Sequence, residues 1–147
     1  MSMTVQKLMT ERLVTINQTA TIDDACKLLL RHHIGGLPVV DHQNHLVGML
    51  TERDLIGLLR EPDCSHSCVD VYVTRDVNTL QPTDSVLVAL DQFEQRGYRR
   101  MPVVDEHNVV VGILARRDFI RFIHEVRQRL GDRLDSIEQR QPESLAK

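Results

Sequence analysis

The 147-residue chain has 18 Lys and Arg against 21 Asp and Glu, a formal net charge of -3, and 41% hydrophobic residues. This predicts one compact domain with a substantial core, filled by Val, Ile and Leu because aromatic residues make up only 3% of the chain. No basic stripe could neutralise a run of phosphates and no apolar stretch approaches a membrane span, so we expect neither nucleic-acid binding nor membrane insertion. Three cysteines without a secreted-scaffold pattern favour a reducing compartment, so the expected localisation is cytoplasmic.

The first half of the chain predicts the order strand, helix, strand, strand, helix. Thr21 followed by Asp24 has the spacing of a helix N-cap, and apolar residues recur behind it at helical intervals. Gly35 and Gly36 end this helix, and a polar tip turns the next strand back as a hairpin. After a short apolar turn at 5–12, the predicted ranges are a strand at 13–16, a helix at 22–33, strands at 37–41 and 46–50, and a helix at 51–60.

The second half of the chain repeats the first. Residues 5–56 align without a gap on residues 69–120, and 16 of the 52 aligned positions are identical. A unit of this length is too small to fold comfortably alone, so two copies packed together are the natural stable object. The predicted ranges of the second copy are a strand at 77–80, a helix at 85–96, strands at 101–105 and 109–114, and a helix from 116.

These elements predict a mixed α/β fold of the α+β type, built from two strand-helix-strand-strand-helix repeats. A helix between the first two strands implies a right-handed parallel crossover, whereas the hairpin adds an antiparallel strand, so the sheet should be mixed. We expect repeats at 5–61 and 69–125, a polar linker at 62–68, and a C-terminal helical extension and tail at 126–147.

An apolar stripe continues into this extension, beyond the point at which the first copy ends. Such a stripe needs a partner. Either it folds back on its own domain or it forms a contact within a homodimer, and we favour the homodimer. The stripe consists of Phe122, Val126, Leu130, Leu134 and Ile137.

The gapless repeat, the Pro-Val-Val-Asp strands at 38–41 and 102–105, and the segment Gly48-Met49-Leu50-Thr51-Glu52-Arg53-Asp54 together resemble the cystathionine β-synthase (CBS) domain pair, or Bateman module. The resemblance covers residues 5–125 and implies two repeats packed as a pseudo-two-fold pair. Such pairs bind adenosine-containing ligands (AMP, ADP, ATP, NAD or S-adenosylmethionine) in clefts between the copies. The resemblance therefore implies a regulatory module rather than an enzyme, with AMP as the most expected ligand, no required cofactor, and a regulated protein as a further partner.

Thr51 and Asp54 are the first candidate site residues. A helix start with a threonine hydroxyl suits a phosphate, whereas a carboxylate repels phosphate and accepts well from two ribose hydroxyls. The same Thr-x-x-Asp spacing is also an ordinary helix cap, and the two roles can coexist.

The resemblance adds residues to this stronger cleft. It implies Val77 and Asn78 beside the base, Met49 against the ring, and Arg99 near the phosphate with Arg100 adjacent. Arginine suits phosphate because its fork donates bidentate hydrogen bonds. Strand alternation lets at most one of the two arginines point inward, and the alternative is a solvated pair at a strand entrance.

The second cleft departs from the family pattern. Asp118 keeps the ribose role, but Ala115 replaces the threonine and Gly35 stands where Arg99 would be. Leu13, Val14 and Ile113 would line this cleft, and nearby histidines or arginines would have to supply any anion support. We expect one good nucleotide site and one that is weak, empty or of different specificity.

Metal and catalytic signals are weak. Cys64, His66 and Cys68 have zinc-compatible side chains but offer only three donors in a polar linker, so no metal site is predicted. No catalytic constellation is evident, and we predict no catalytic residue. The main alternative to a nucleotide sensor is a dimerisation or protein-partner module that has lost its ligand.

Overall fold

The first repeat forms a three-stranded sheet flanked by helices. The computed structural model describes residues 3–61, 63 and 66–140. A short helix α1 (Val5–Leu8) precedes strand β1 (Ile16–Asn17), helix α2 (Ile22–His32), strands β2 (Gly36–Val40) and β3 (Leu46–Thr51), and helix α3 (Glu52–Ile56). Strand β1 pairs parallel to β2, which pairs antiparallel to β3, so the mixed sheet is confirmed.

The second repeat contains helix α4 (Val86–Arg96), strands β4 (Arg100–Val104) and β5 (Val110–Ala115), and helix α5 (Arg116–Arg140). Strands β4 and β5 pair antiparallel with the register of β2 and β3, including an irregularity at the same place, between Val103 and Val104. The two hairpins therefore have the same geometry, as their shared sequence predicts.

The prediction of a strand at 77–80 is wrong, because this stretch forms only a single parallel β-bridge, between Leu80 and Val103. In the first repeat, the Gln18 N–H donates to the Val40 carbonyl at 2.8 Å and extends the parallel ladder. The equivalent residue is Pro82, which has no N–H to donate. The strand predicted at 13–16 also differs, since pairing is confined to Ile16 and Asn17.

The helix predicted at 51–60 is shorter than expected. Helix α3 ends at Ile56 and continues as a 3₁₀ turn over Gly57–Arg60. Arg121 occupies the position equivalent to Gly57 in the second repeat, and there the α-helix runs for 25 residues. Glycine weakens a helix interior by about 1 kcal/mol relative to alanine, whereas arginine is a good helix former.

The two repeats exchange their leading segments. Val5 and Leu8 of α1 are buried in the core of the second repeat, with Leu80, Ala89 and Phe93 among its members. Val69, at the start of the second repeat, is buried in the core of the first. Each hydrophobic core is therefore completed by residues from the other half of the sequence.

The hairpin tips meet near the pseudo-two-fold axis. His45 and Val109, which are equivalent positions, form an antiparallel bridge. Hydrogen bonds flank it symmetrically, because Leu46 N–H donates to the Asn108 carbonyl at 3.0 Å and Val110 N–H to the Asn44 carbonyl at 3.1 Å. Both asparagines have left-handed backbone, with φ of 64° and 63°, which asparagine tolerates better than most residues.

Part of the linker and of the tail lies outside the described residues. This applies to Pro62, Cys64 and Ser65 and to the tail from 141 onward. Cys64, one of the three zinc-compatible side chains, therefore lies outside the described residues. The backbone of Cys68 forms an isolated antiparallel β-bridge with Thr21, and its thiol donates a hydrogen bond to the Gln18 carbonyl. Among the described residues there is no group of three metal-ligating side chains, and no helix long and apolar enough to cross a membrane.

Candidate functional site

Asp54 and Thr51 form a reciprocal cap where β3 passes into α3. Asp54 Oδ2 accepts from the Thr51 N–H at 2.9 Å and from its hydroxyl at 3.1 Å. In return, the Asp54 N–H lies 3.4 Å from the Thr51 hydroxyl oxygen. The capping alternative therefore describes a real arrangement in this structure. Each carboxylate oxygen accepts more than one hydrogen bond, so the cap leaves Asp54 capacity to accept from a ligand.

Thr74 of the second repeat reaches across to Asp54. Its hydroxyl donates to Asp54 Oδ1 at 3.1 Å, while its backbone exchanges two 2.9 Å hydrogen bonds with Met49. These contacts hold the start of the second repeat against the end of β3. Val77 and Asn78, the predicted base-lining residues, follow Thr74 in the segment that runs from β3 of the first repeat to β4 of the second. Met49 is 5% exposed, Val77 half-buried and Asn78 exposed, with its amide donating to the Tyr98 hydroxyl.

Asp118 occupies a far more enclosed position than Asp54. It is 3% exposed, and its carboxylate accepts from the Ala115 N–H at 2.7 Å and the Thr10 hydroxyl at 3.1 Å. Arg121 adds an ion pair at 2.9 Å. Asp54 also accepts three hydrogen bonds, but its donors are neutral and it is only half-buried. Asp118 is buried and neutralised by Arg121, so it has less to gain from a ligand than Asp54 has.

The other residues of the predicted weaker cleft are dispersed among three surroundings. Leu13 packs against the valines where the two hairpins meet, and Val14 packs against the first core. Ile113 is half-buried and exchanges backbone hydrogen bonds of 2.9 and 3.1 Å with Thr10. Thr10 and Thr74 occupy equivalent positions, and the Thr10 hydroxyl donates to Asp118 as the Thr74 hydroxyl donates to Asp54.

Arg100, rather than Arg99, lies against the first repeat. A Cβ on Gly36 would be 2.7 Å from Arg100 Nη1, and one on Gly35 would be 2.7 Å from Nη2, so this glycine pair leaves the space that the guanidinium fills. Gly36 pairs with Thr51, which places Arg100 beside the end of β3. Burial lowers the pKa of Arg100, and the negative charge of Glu52 opposes that shift. Arg99 precedes β4 and is exposed.

A cavity of about 690 Å³ opens between the repeats next to this arginine. Its apolar wall includes Leu29 of α2, Ile34 just after α2, and Leu55 of α3. Its polar side carries Glu52 and the arginines Arg99, Arg100, Arg116 and Arg117. Arg99 and Arg100 therefore belong to its lining, whereas Thr51 and Asp54 lie next to it along the chain.

Sequence reasoning did not single out Thr10, Thr74, Glu52 or Arg121. The two threonines could have been found, because they are identical residues at equivalent positions of the repeat. Arg121 could also have been found, because it lies three residues after Asp118 on a predicted helix, a spacing that favours an ion pair. The contact of Glu52 depends on three-dimensional placement, and no spacing rule points to it.

The CBS domain family model matches residues 5–61 and 68–125, which is most of the chain. The chain is a CBS domain pair. Its relatives include the uncharacterized protein MJ1225 of Methanocaldococcus jannaschii, which is 34% identical over 119 residues, or 81% of this chain and 42% of that protein. The CBS pair thus spans less than half the length of this relative.

Two solved CBS structures that resemble the chain contain adenosine compounds. CBSX2 of Arabidopsis thaliana in complex with AMP has a TM-score of 0.78 and 28% identity, covering 84% of this chain and 98% of its own. The CBS domain pair of protein MJ0100, in complex with 5'-methylthioadenosine and S-adenosyl-L-methionine, has a TM-score of 0.75 and 26% identity, covering 85% of this chain and 98% of its own. The predicted family and the two-repeat fold are confirmed.

Proposed function

We propose that this CBS pair is a regulatory module that binds an adenine nucleotide in the cleft beside Asp54. One observation carries the proposal: an acid of the first repeat and an arginine of the second converge at the end of β3, where Thr74 contacts Asp54 at 3.1 Å and Arg100 covers Gly36. The AMP complex of CBSX2 supports it by similarity.

Each group in the cleft has a chemical task. Asp54 accepts hydrogen bonds from the ribose hydroxyls, and Thr51 with Arg100 binds the first phosphate, with Arg99 alongside. Helix α3 has only five residues, so the phosphate contact depends on these side chains more than on a helix dipole. Met49, Val77 and Asn78 surround the base. AMP is the smallest nucleotide that engages every group.

A ligand that contacts both repeats lets the module act as a sensor, because its binding stabilises one relative arrangement of the two repeats over another. It can shift that equilibrium only by the difference between its affinities for them. The ligand occupies one site per chain, because the Asp118 carboxylate is buried and already paired with the charge of Arg121. Regulation of a protein partner in the cytoplasm remains part of this proposal.

Calorimetry on protein freed of carried-over ligand tests the site, with AMP, ADP, ATP, NAD, S-adenosylmethionine and adenosine. Asp54→Asn should weaken every adenosine compound that binds by about 10- to 100-fold, the equivalent of a lost charge-assisted hydrogen bond pair. Asp24→Asn is a matched control, because Asp24 forms the same reciprocal cap with Thr21 in α2. If both variants lose stability and neither changes ligand affinity, Asp54 is only a cap.

A specific observation also favours homodimerisation as a second function. Exposed apolar residues recur at equivalent positions of the two repeats, Ile56 with Ile120 (66% and 65% exposed) and Leu59 with Ile123 (89% and 48%). Farther along α5, Leu130 and Leu134 are 52% and 58% exposed, so within the described residues this part of the stripe is not covered by its own domain. Phe122, by contrast, packs on the second core.

Sedimentation measurements test this second function. The double variant Leu130→Ser, Leu134→Ser should raise the dimer dissociation constant by about 10-fold or more, since each buried leucine contributes about 1.5–3 kcal/mol. Nucleotide affinity per chain should stay the same. An unchanged monomer–dimer equilibrium would exclude this stripe as the dimer contact.

A further inference from the structure

Gly57 has neither a conformational nor a packing reason to be glycine. Its φ of -58° and ψ of -24° are right-handed helical values that residues with side chains adopt readily. It is exposed, and apart from its own stretch of backbone no atom of the described residues lies within 4 Å of the position that a Cβ would take. Glycine is also a poor helix former. The reason for it must therefore lie in what a side chain would do at this position.

The equivalent position in the second repeat shows what a side chain can do there. Arg121 corresponds to Gly57, and its Nη2 forms an ion pair with Asp118 Oδ1 at 2.9 Å. The same step of three residues separates Gly57 from Asp54, and residues three apart on a helix are neighbours on its surface. The backbone of Gly57 is still helical, so an arginine at this position would reach Asp54 in the same way.

Among the described residues, Asp54 accepts hydrogen bonds from neutral groups, which are the N–H and hydroxyl of Thr51 and the hydroxyl of Thr74. Hydrogen bonds to an ionised carboxylate are about twice as strong as those between neutral groups. A sugar hydroxyl therefore gains most from a carboxylate whose charge is not already paired with a guanidinium.

We propose that Gly57 is a specificity-determining residue that keeps Asp54 free for the sugar hydroxyls of a ligand, because the missing side chain denies Asp54 the cation that Arg121 supplies to Asp118. The inference rests on the proposed nucleotide site. It assigns part of the difference between the two clefts to one pair of equivalent positions. Gly57 does not touch the ligand, and it acts through the charge of Asp54.

Calorimetry with adenosine on the full chain tests the proposal, because adenosine carries the sugar without a phosphate that an added arginine could attract. Gly57→Arg should weaken adenosine binding by about 10-fold or more, which corresponds to the loss of a charge-assisted hydrogen bond. Gly57→Met adds an uncharged side chain of similar length and helix propensity. Gly131→Arg adds the same charge far along α5, at a glycine that also has open space for a side chain. Both of these controls should leave adenosine affinity within about 2-fold of the parent.

A comparison with 2'-deoxyadenosine shows whether the substitution acts on recognition of the sugar. The parent should prefer adenosine, and Gly57→Arg should reduce that preference, whereas Gly57→Met should retain it. In about 1 M salt, which screens exposed charges, the preference of Gly57→Arg should return toward that of the parent.

Urea denaturation without ligand tests the ion pair itself. Gly57→Arg should raise the urea midpoint more in the parent than in Asp54→Asn, because only the parent has a carboxylate charge for the new arginine. Gly57→Met should change the midpoint equally in the two backgrounds. The same shift for Gly57→Arg in both backgrounds would show that no pair forms.

Unchanged adenosine affinity in Gly57→Arg would overturn the proposal. An equal loss in Gly57→Met would also overturn it, since space rather than charge would then decide binding. If the urea midpoints show the pair but no adenosine compound binds the parent, the proposed function fails and the denial of a cation to Asp54 stands. If adenosine binds the parent and all three variants alike, the nucleotide site stands and Gly57 has no part in its specificity.

Discussion

Replacing Gly48 with alanine should destabilise the protein far more than the same replacement of Gly112, although the two glycines are equivalent. A Cβ on Gly48 would lie 2.2 Å from the Thr74 carbonyl oxygen and 2.8 Å from Val73 Cγ2. Ordinary contact would require the Thr74 backbone to move by roughly 1 Å, because a carbonyl cannot rotate away as a flexible side chain can. That movement would disrupt the paired hydrogen bonds with Met49 and the hydroxyl contact to Asp54.

The expected cost for Gly48→Ala is about 3 kcal/mol in the free energy of unfolding, because overpacking typically costs 1–3 kcal/mol and each weakened hydrogen bond about 1 kcal/mol more. Alanine returns about 0.5–1 kcal/mol through its lower chain entropy in the unfolded state. At Gly112 the obstructing atom is Met9 Sδ at 2.5 Å, at the end of a flexible side chain, so Gly112→Ala should stay within about 1 kcal/mol of the parent.

Urea denaturation followed by circular dichroism measures both variants under the same conditions. Gly48→Ala should also weaken nucleotide binding, since Thr74 positions Asp54. Equal stabilities of the two variants would refute the idea that the Thr74 backbone is held rigidly against Gly48.

Two further predictions concern carboxylates. Asp118→Asn should lower the free energy of unfolding by about 2 kcal/mol, because it leaves buried donors and Arg121 without their charged acceptor, and denaturant titration should show a larger loss than for Asp54→Asn. Hydrogen bonding by the Val109 N–H, and then that of His107, lowers the pKa of Asp105 despite partial desolvation. This contribution is therefore complete above the ordinary aspartate pKa of 3.8 and is lost as the pH falls through the lowered value, so the Tm difference between Asp105→Asn and the parent should narrow in acid. A constant difference from neutral pH to below pH 3 would contradict this assignment.

Local signals predicted the elements that depend on local structure. Thr21 caps α2 as its spacing with Asp24 predicts, and the helix ends at His32, one residue before the expected boundary. The two hairpins also follow from their sequence, because Pro-Val-Val-Asp and the glycine after the turn occur in both copies.

Differences between the copies explain the elements that were predicted wrongly. Pro82 removes the N–H that Gln18 uses, which reduces the strand at 77–80 to one bridge. Gly57 ends the α-helix where Arg121 continues it. Both substitutions are visible in the alignment of the two copies, but their effects depend on which backbone groups must pair.

The candidate site was predictable in its residue types and less so in its geometry. Thr51 and Asp54 stand at a spacing that permits either a cap or a ligand contact, and the cap is present in the structure. The contact of Arg100 with Gly36 comes from packing between residues far apart in sequence. No local pattern encodes which of two adjacent arginines faces inward.

The exchange of leading segments has a consequence for biosynthesis. As the chain leaves the ribosome, Val5 and Leu8 emerge long before the core that encloses them, whereas Val69 follows closely on the core that it completes. The earlier half can therefore assemble during translation, but its opening residues must wait for the later half. Separately expressed halves would each retain a segment that the other needs, so each would expose an unfilled apolar groove and tend to aggregate.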